Sequence, residues 1–193
     1  VMGGCEVGWN GRDEWKMRCE FMRNGRPEHA SGSVGACFME GTRPILLEIQ
    51  DLVGRTNVGM PRRTAAGTDY NRVNLLMAVL EKRLGMALAD CDAYVNIAGG
   101  IRMNEPAIDL GIVLALVSSY QNKPVDPYTI VFGEVGLSGE VRAVSMPKQR
   151  VMEAKKLGFH TCILPGVSVE SVGEVSKMKI IGVKNVSEAI QHL

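Results

Sequence analysis

The sequence predicts a layered domain of the α+β class, in which helices cover a β-sheet. Strand-like and helix-like segments alternate through the second half of the chain, which is typical of a layered α/β or α+β domain. One helix-like segment, residues 105–120, is apolar nearly all round, as expected of a helix enclosed by other elements. The length of 193 residues is sufficient for one such domain with a substantial core.

Two strands are predicted at the start of this domain. SVGACFME and ILLEIQDLV are separated by GTRP, which has the composition of a turn. Glu48 and Gln50 partly alternate with apolar residues in the second segment, so one face of that strand should be exposed to solvent. The next segment, GMPRRTAAG, is predicted to be an exposed loop because it contains Pro61 and is flanked by glycines.

The segment DYNRVNLLMAVLEKRLG predicts an amphipathic helix with signals at both ends. Asp69 is suited to cap its start, and Lys82, Arg83 and Gly85 are typical of a helix end. Its predicted buried stripe consists of Leu75, Leu76, Val79 and Leu80.

The remaining segments continue the alternation of strands and helices. AYVNIAGG predicts a buried strand that runs into a glycine turn, and TIVFGEVGLSGEVRAV predicts a strand, a glycine-rich turn and a second strand. KQRVMEAKKLG predicts a helix with a basic end, TCILP and KIIGV predict short strands, and VSEAIQHL predicts a last helix capped by Asn185 or Ser187.

Composition excludes several classes of protein. The net charge of +1 does not indicate a nucleic-acid binder, so such a function must depend on local clusters of Lys and Arg. The cysteines at positions 5, 19, 37, 91 and 162 have no CxxC spacing, which argues against a structural zinc site and favours reduced thiols in the cytoplasm. The longest apolar run, Ile108–Val117, contains Asp109 and is too short to span a membrane.

Residues 1–32 differ in composition from the rest of the chain. They are rich in Gly, Arg, Glu and Met and have no sustained period, which predicts a linker or a poorly packed arm. The domain is expected to occupy residues 33–193. Because the first residue is Val, we also expect the chain to be a fragment of a longer protein.

Four arginines form a candidate DNA-binding cluster. Arg55, Arg62, Arg63 and Arg72 fall within a short span in which Asp69 is the one acidic residue. The planar guanidinium group donates paired hydrogen bonds to phosphate. The alternative is that these arginines lie in a subunit interface and pair with acids such as Glu48 or Glu81.

Several long phrases of the sequence resemble one known family. MEGTRPILLEIQ, MPRRTAAGTDYNRVNLLMAVLEKRLG, DAYVNIAGGIRMNEPAIDLGIV and FGEVGLSGEVRAV are similar, in this order, to the C-terminal domain of RadA/Sms DNA repair proteins. That domain in turn resembles the proteolytic domain of Lon protease, whose fold is like the second domain of ribosomal protein S5. The resemblance therefore implies an S5 domain 2-like α+β fold, with residues 1–32 as a linker from an ATPase domain.

The resemblance also implies partners and cofactors. RadA-type proteins assemble as hexameric rings on DNA, so we expect contact with single-stranded or branched DNA, self-association into a homohexamer and contact with recombinase proteins. ATP and Mg would belong to a RecA-like domain, and zinc to a zinc finger; this chain contains neither GxxxxGK[ST] nor the finger's cysteines. We therefore expect no cofactor in this chain, no membrane association and a cytoplasmic location.

The resemblance to Lon raises the question of peptidase activity. Lon peptidases use a Ser–Lys pair, and aligning NEPAIDLGIV with the Lon helix places Asp109 at the serine, while Lys148 falls near the lysine. A carboxylate is a poor nucleophile toward an amide, so no catalytic residue is expected in this degenerate site. Asp109 either complements the helix dipole or is a partly buried carboxylate paired with Lys148 or a backbone N–H; an unusual working dyad is the remaining alternative.

Two functions follow as hypotheses. The first is a non-proteolytic Lon-like platform of a RadA-type recombination protein, which supports hexamer assembly and DNA binding during branch migration. The second is an active Ser–Lys-type peptidase, and Asp109 is the feature that discriminates between them.

Overall fold

The structure is a computed structural model, and it describes residues 30–57, 59–98 and 102–193. Most of the predicted arm, residues 1–29, lies outside these ranges, as do the two glycines of the predicted turn after AYVNIA. Gly32 is described and is already part of the domain, because its amide donates to Ser118 Oγ at 2.8 Å and its carbonyl accepts the Asp51 amide at 2.7 Å.

The described residues form nine strands and five α-helices, together with two short 3₁₀ turns. The strands are β1 (Ser33–Glu40), β2 (Arg43–Arg55), β3 (Arg63–Ala66), β4 (Cys91–Ile97), β5 (Thr129–Val131), β6 (Glu134–Val135), β7 (Val141–Arg142), β8 (Thr161–Pro165) and β9 (Lys179–Val183). The helices are α1 (Tyr70–Leu84), α2 (Asp109–Gln121), α3 (Pro147–Lys156), α4 (Val169–Val172) and α5 (Val186–Ile190), and the 3₁₀ turns are Pro106–Ile108 and Gly166–Ser168.

Seven of the strands form one mixed sheet in the order β3-β4-β2-β1-β5-β8-β9. The β1–β2 and β2–β4 pairs are antiparallel, and the other four pairs are parallel. β6 and β7 form a separate two-stranded hairpin. A mixed sheet with helices packed on it confirms the predicted α+β class.

The hairpin of β1 and β2 confirms the two strands predicted first. Their register runs from Ser33 opposite Gln50 to Glu40 opposite Arg43. Two residues, Gly41 and Thr42, connect the strands, and Gly41 has a φ of 62°, which glycine adopts without the steric penalty of a side chain. The turn is therefore shorter than the predicted four residues.

Helix α2 lies at the centre of the domain, as its apolar composition predicts. Its residues from Asp109 to Ser118 are all buried, and the helix packs against β1, β2 and α1. Gly111 makes the close contact with the sheet possible, because a Cβ there would lie 2.8 Å from Ile49 Cδ1 and 3.2 Å from Ala36 Cβ.

The signals at the ends of the other predicted helices are confirmed. Asp69 caps α1 by accepting from the Asn71 amide, and Gly85 ends the helix with a φ of 65°. Asn185, rather than Ser187, caps α5, since its side chain accepts from the Glu188 amide at 2.9 Å.

Three predictions about strands are wrong. On β2, Gln50 is exposed as predicted, but Glu48 is buried. The segment GMPRRTAAG, predicted to be a loop, contains β3, which pairs in parallel with β4. The prediction failed because a strand of four residues is too short to show a periodicity of its own. The predicted buried strand AYVNIAGG is instead half exposed: Ala93, Val95 and Ile97 are buried, whereas Tyr94 and Asn96 between them are exposed.

None of the helices in the described ranges is both long enough and apolar enough to cross a lipid bilayer.

Candidate functional site

Asp109 is the first residue of α2 and is placed by the chain on both sides of it. The 3₁₀ turn Pro106–Ile108 precedes it directly. Two backbone hydrogen bonds fix this end of the helix to Gly133, one from the Gly133 amide to the Ala107 carbonyl at 2.8 Å and one from the Leu110 amide to the Gly133 carbonyl at 3.0 Å. The side chain of Asp109 is only 1% exposed.

Three hydrogen bonds hold the Asp109 carboxylate. Arg72 on α1 donates from Nε to Oδ1 at 2.9 Å and from Nη2 to Oδ2, which makes the pair bidentate. The Val135 amide donates to Oδ2 at 3.1 Å, and Arg72 Nη2 also donates to the Val135 carbonyl at 3.1 Å. We call Asp109, Arg72 and the backbone of Val135 the Asp109 cluster, which joins α1, α2 and β6.

The electrostatics of the Asp109 cluster combine burial with pairing. Burial raises the pKa of Asp109, while the hydrogen bonds from Arg72 and the Val135 amide act in the opposite direction. The bond to Asp109 in turn raises the pKa of Arg72, whose side chain is 31% exposed. The cluster can therefore hold three elements together, and it offers no neutral base beside a hydroxyl nucleophile.

Lys148 does not take part in this cluster. It lies exposed in the first turn of α3, whereas both Asp109 oxygens bond to Arg72 and Val135. Of the two partners expected for a buried Asp109, the structure has the backbone N–H and, instead of Lys148, an arginine that was expected to contact DNA. The sequence does not reveal this pair, because Arg72 and Asp109 are 37 positions apart.

The serines that follow Asp109 on α2 are also engaged elsewhere. Ser118 Oγ donates to the Lys123 carbonyl at 2.5 Å and accepts from the Gly32 amide. Ser119 Oγ accepts from the Val53 amide at 2.9 Å. Both hydroxyls therefore bind backbone at the far end of α2, away from Asp109.

A second buried ion pair was missed by sequence reasoning. Arg150 on α3 is fully buried and donates to the Glu105 carboxylate, to the Cys37 carbonyl at 2.7 Å and to the Ser145 carbonyl at 2.8 Å. Glu105 also accepts from the Met39 amide at 2.6 Å. This pair ties the segment before α2 to β1 and α3, and the amphipathic pattern of α3 gives no signal for a buried arginine.

The four predicted DNA-binding arginines fall into two groups. Arg63 donates to Asn74 Oδ1 at 3.3 Å and lies 3.8 Å from Glu81, close enough for an ion pair but too far for a hydrogen bond. Arg72 belongs to the Asp109 cluster. Arg55 and Arg62 are exposed, at the end of β2 and just before β3 respectively. Arg63 therefore pairs within the chain with Glu81, one of the acids named in the alternative, while the subunit interface of that alternative stays a prediction.

No set of three or more His, Cys, Asp or Glu side chains in the described part of the chain is arranged to hold a metal ion.

Comparison with known proteins gives two findings. Residues 51–168 match the family described as Subunit ChlI of Mg-chelatase. The chain is 47% identical over 190 residues to proteins named DNA repair protein RadA from Halalkalibacterium halodurans and Bacillus subtilis. It is 45% identical over 166 residues to the protein of that name from Streptococcus pneumoniae.

The alignments cover most of this chain but less than half of each relative. The first two alignments cover 98% of this chain and 42% of the relative, and the third covers 86% of this chain and 40% of the relative. The chain therefore spans about two fifths of the length of the proteins it matches.

Proposed function

Since the chain belongs to the RadA/Sms family of DNA repair proteins and contains a domain of the ChlI family, we propose that it is a platform that contacts DNA. In this proposal the platform has no peptidase activity of its own. The observation that carries this proposal is the state of Asp109. It stands where the resemblance to Lon requires a serine, it is 1% exposed, and it is bonded to Arg72 and the Val135 amide.

The chemistry of the Asp109 cluster supports the absence of peptidase activity. The nucleophile of a Ser–Lys peptidase is a hydroxyl beside a base that accepts its proton. In the Asp109 cluster, the neighbouring side chain is a guanidinium, which is protonated at every physiological pH and accepts no proton. With both carboxylate oxygens bonded, Asp109 acts as a structural anion between helices α1 and α2.

The two exposed arginines support DNA contact. Arg55 and Arg62 have the charge and the paired donors that bind phosphate, and both are accessible to a ligand. Arg63 and Arg72 bond to groups of the same chain. In this proposal, Arg55 and Arg62 therefore contact the DNA backbone, while Arg63 and Arg72 stabilise the fold through bonds within the chain.

The larger assembly is also part of the proposal and rests on the family resemblance. Six copies form a ring around or beside DNA, and ring assembly supports branch migration with recombinase proteins as partners. ATP hydrolysis belongs to a RecA-like domain, because this chain has no P-loop sequence.

DNA binding by the chain tests the proposal. A fluorescein-labelled DNA is titrated with wild-type chain, with the double variant Arg55→Ala/Arg62→Ala and with Lys156→Ala, a control that removes one exposed cation paired with Glu153 on α3. Anisotropy is measured at several salt concentrations. We expect the double variant to bind at least about tenfold more weakly. Its plot of log affinity against log salt should be shallower by about 2, since each lost phosphate contact lowers the slope by about 1. Lys156→Ala should behave like wild type.

A peptidase assay examines the other half of the proposal. We expect no turnover of fluorescent casein by wild-type chain or by Lys148→Ala. Turnover by the wild type that the Lys148 substitution abolishes would contradict the assignment of Asp109, and unchanged DNA binding by the arginine double variant would contradict the DNA contact.

A further inference from the structure

Strand β3 is one of the two edges of the main sheet. It pairs with β4 on one side, and no described strand pairs with its other side. The Ala93 amide donates to the Arg62 carbonyl at 2.8 Å, and Arg63 lies opposite Ala93 in the register. In a parallel ladder, successive residues turn their backbone groups alternately to the two sides. The N–H and C=O groups of Arg63 and Ala65 therefore point away from β4.

These outward backbone groups are unpaired within the described ranges. The amides and carbonyls of Arg63 and Ala65 form no hydrogen bond to another described residue. Further along the chain, the Gly67 carbonyl accepts the Met103 amide at 2.7 Å, so the segment before α2 ends the free edge there. Two residues of β3 therefore offer two donors and two acceptors to a further strand.

The side chains of β3 leave this edge accessible. Natural proteins commonly guard an edge strand with charged side chains, proline, a bulge or a covering element. The register on β4 is continuous from Arg63 to Ala66, so β3 contains no bulge. Arg63, the one charged residue of the strand, turns toward α1, where it donates to Asn74 Oδ1 at 3.3 Å. Thr64 and Ala66 are small and exposed, which leaves room for another strand.

A recess of ≈ 540 Å³ opens at the C-terminal end of β3. This volume is within the range of ligand sites in proteins. The residues that line the recess include Ala65, Ala66, Tyr70, Asn96 and Arg102. Arg102 is the one charged residue among those that line it, and it is exposed. The recess thus combines a guanidinium, a phenol and a carboxamide with apolar walls, which suits a carboxylate side chain.

The acids closest to β3 in the fold are bonded to backbone outside the recess. Asp69 accepts the Asn71 amide at 2.6 Å at the start of α1. Asp92 Oδ1 accepts the Arg62 amide at 2.7 Å, at the opposite end of β3. Neither of these carboxylates lines the recess. Arg102 therefore has no carboxylate beside it among the residues that line the recess, and a ligand can supply one.

We propose that the free edge of β3 and the recess form a docking site for an extended acidic segment of another protein, which adds to the seven-stranded sheet as a further strand. The added strand exchanges backbone hydrogen bonds with Arg63 and Ala65, and a glutamate or aspartate side chain enters the recess beside Arg102. Backbone bonds select an extended segment of any sequence, whereas the recess selects an acid. The inference goes beyond the proposed DNA contact, because neither Ala65 nor Arg102 takes part in that contact.

Peptide binding tests this inference. The probe is a fluorescein-labelled peptide with capped ends, in which alternating threonine and valine residues separate two glutamates. A second peptide has glutamine in place of both glutamates, and a third has a methyl group on every backbone amide. Anisotropy with the wild-type chain measures binding. We expect the acidic peptide to bind about fivefold or more tightly than the glutamine peptide, and the methylated peptide to lose about tenfold or more.

Four variants of the chain probe the same contacts from the protein side. Ala65→Pro removes an outward amide and leaves the amides that β4 uses, whereas Ala65→Ser keeps the amide. Arg102→Ala removes the cation of the recess, and Lys123→Ala removes an exposed cation just after α2. We expect Ala65→Pro to weaken binding of both unmethylated peptides about tenfold or more. Ala65→Ser and Lys123→Ala should bind like wild type.

The effect of Arg102→Ala should depend on the peptide. We expect it to weaken the acidic peptide about fivefold or more and to change the glutamine peptide less than about twofold, because a neutral amide forms no ion pair with the guanidinium. A general loss of structure would weaken both peptides equally. Circular dichroism checks that each variant is folded, and if Ala65→Pro is not, the methylated peptide decides on the backbone bonds without any change to the protein.

The possible failures are distinguishable. Normal peptide binding by folded Ala65→Pro, or by the methylated peptide, overturns strand addition. Equal effects of Arg102→Ala on both peptides overturn the carboxylate contact. If wild type binds DNA but no peptide, the inference is wrong and the proposed function stands. If wild type binds no peptide and Ala65→Pro lowers the mass measured by light scattering, the edge pairs two copies of the chain, which also overturns the inference.

Discussion

Two buried carboxylates in the domain have opposite environments. Asp109 is bonded to Arg72 and to the Val135 amide. Asp51 on β2 is 5% exposed, and neither of its carboxylate oxygens has a hydrogen-bond partner among the residues that the structure describes. Because burial disfavours a charge that has no partner, the ionised Asp109 is compensated by Arg72 and the Val135 amide, whereas an ionised Asp51 is expected to destabilise the fold.

Removal of the Asp109 charge should destabilise the domain. We expect Asp109→Asn to lower the free energy of unfolding by ~2–3 kcal/mol, because it leaves Arg72 partly buried opposite a neutral group. Urea unfolding followed by circular dichroism measures this change. The single variants Arg72→Met and Asp109→Leu form a cycle with the double variant Arg72→Met/Asp109→Leu. The double variant should lose less free energy of unfolding than the sum of the losses of the two single variants. Additive losses would mean that the pair contributes no coupling energy.

Asp51 should make stability depend on pH. Burial raises the pKa of Asp51 well above its ordinary value, so the folded chain keeps this proton at pH values where the unfolded chain has released it. The contribution of Asp51 to stability therefore falls as pH rises above ~4, the ordinary pKa of an aspartate, until the folded-state pKa is passed.

Asp51→Asn should remove this loss of stability. We expect the free energy of unfolding of the variant to equal that of wild type in acid. At pH values above the folded-state pKa of Asp51 it should be higher by ~1–3 kcal/mol, since an amide needs no proton to remain neutral. Urea unfolding across a pH series measures the difference. A constant difference at every pH would show that ionisation of Asp51 is not the cause.

At the level of elements, the position of α2 depends on Gly111. A glycine inside a helix costs about 1 kcal/mol relative to alanine, so its presence indicates a compensating contact. That contact is the close approach of α2 to β1 and β2, where a Cβ would lie 3.2 Å from Ala36 Cβ and 2.8 Å from Ile49 Cδ1. Ile49 can rotate at its end, whereas the Cβ of Ala36 moves only with its strand.

Gly111→Ala should therefore destabilise the domain although alanine favours helices. Overpacking costs ~1–3 kcal/mol, and the gain in helix propensity offsets about 1 kcal/mol of it, which leaves a net loss of about 1 kcal/mol. Thermal unfolding detects this loss. Gly54→Ala is a control because a Cβ at Gly54 meets nothing within 4 Å. A Gly111→Ala variant more stable than wild type would disprove the steric argument.

At the level of the whole molecule, one sheet connects two core clusters. Neighbouring residues on the same strand belong to different clusters: Ala36 and Cys37 on β1, and Ile163 and Cys162 on β8. A strand cannot leave one cluster without leaving the other. The domain is therefore expected to unfold as one cooperative unit.

Core substitutions on the two sides of the sheet should affect the same transition. We expect Leu114→Ala in the first cluster and Val151→Ala in the second each to lower the free energy of unfolding by ~2–4 kcal/mol. Circular dichroism and tyrosine fluorescence should give coincident urea curves for both variants. Two separate transitions in either variant would show that the clusters unfold independently.

Local sequence determined the type and the ends of most elements. The apolar run of α2 and the caps Asp69, Gly85 and Asn185 act through neighbours within a few positions. Such signals are present in the sequence because their energetics depend on short-range contacts. The acid at the start of the central helix could also be identified from sequence, through the resemblance of its surroundings to Lon.

Only the tertiary structure decided what these elements contact. The partner of Asp109 is an arginine 37 positions away, and Arg63 pairs with Glu81 while Arg62 stays exposed, because strand alternation sends adjacent side chains to opposite faces. Strand β3 forms because β4 lies beside it. Leu52 and Tyr94 stay exposed because no described element packs over them, whereas helix α3 packs over the half of the sheet around β1, β5 and β8. These outcomes depend on long-range packing, for which neither periodicity nor composition contains a signal.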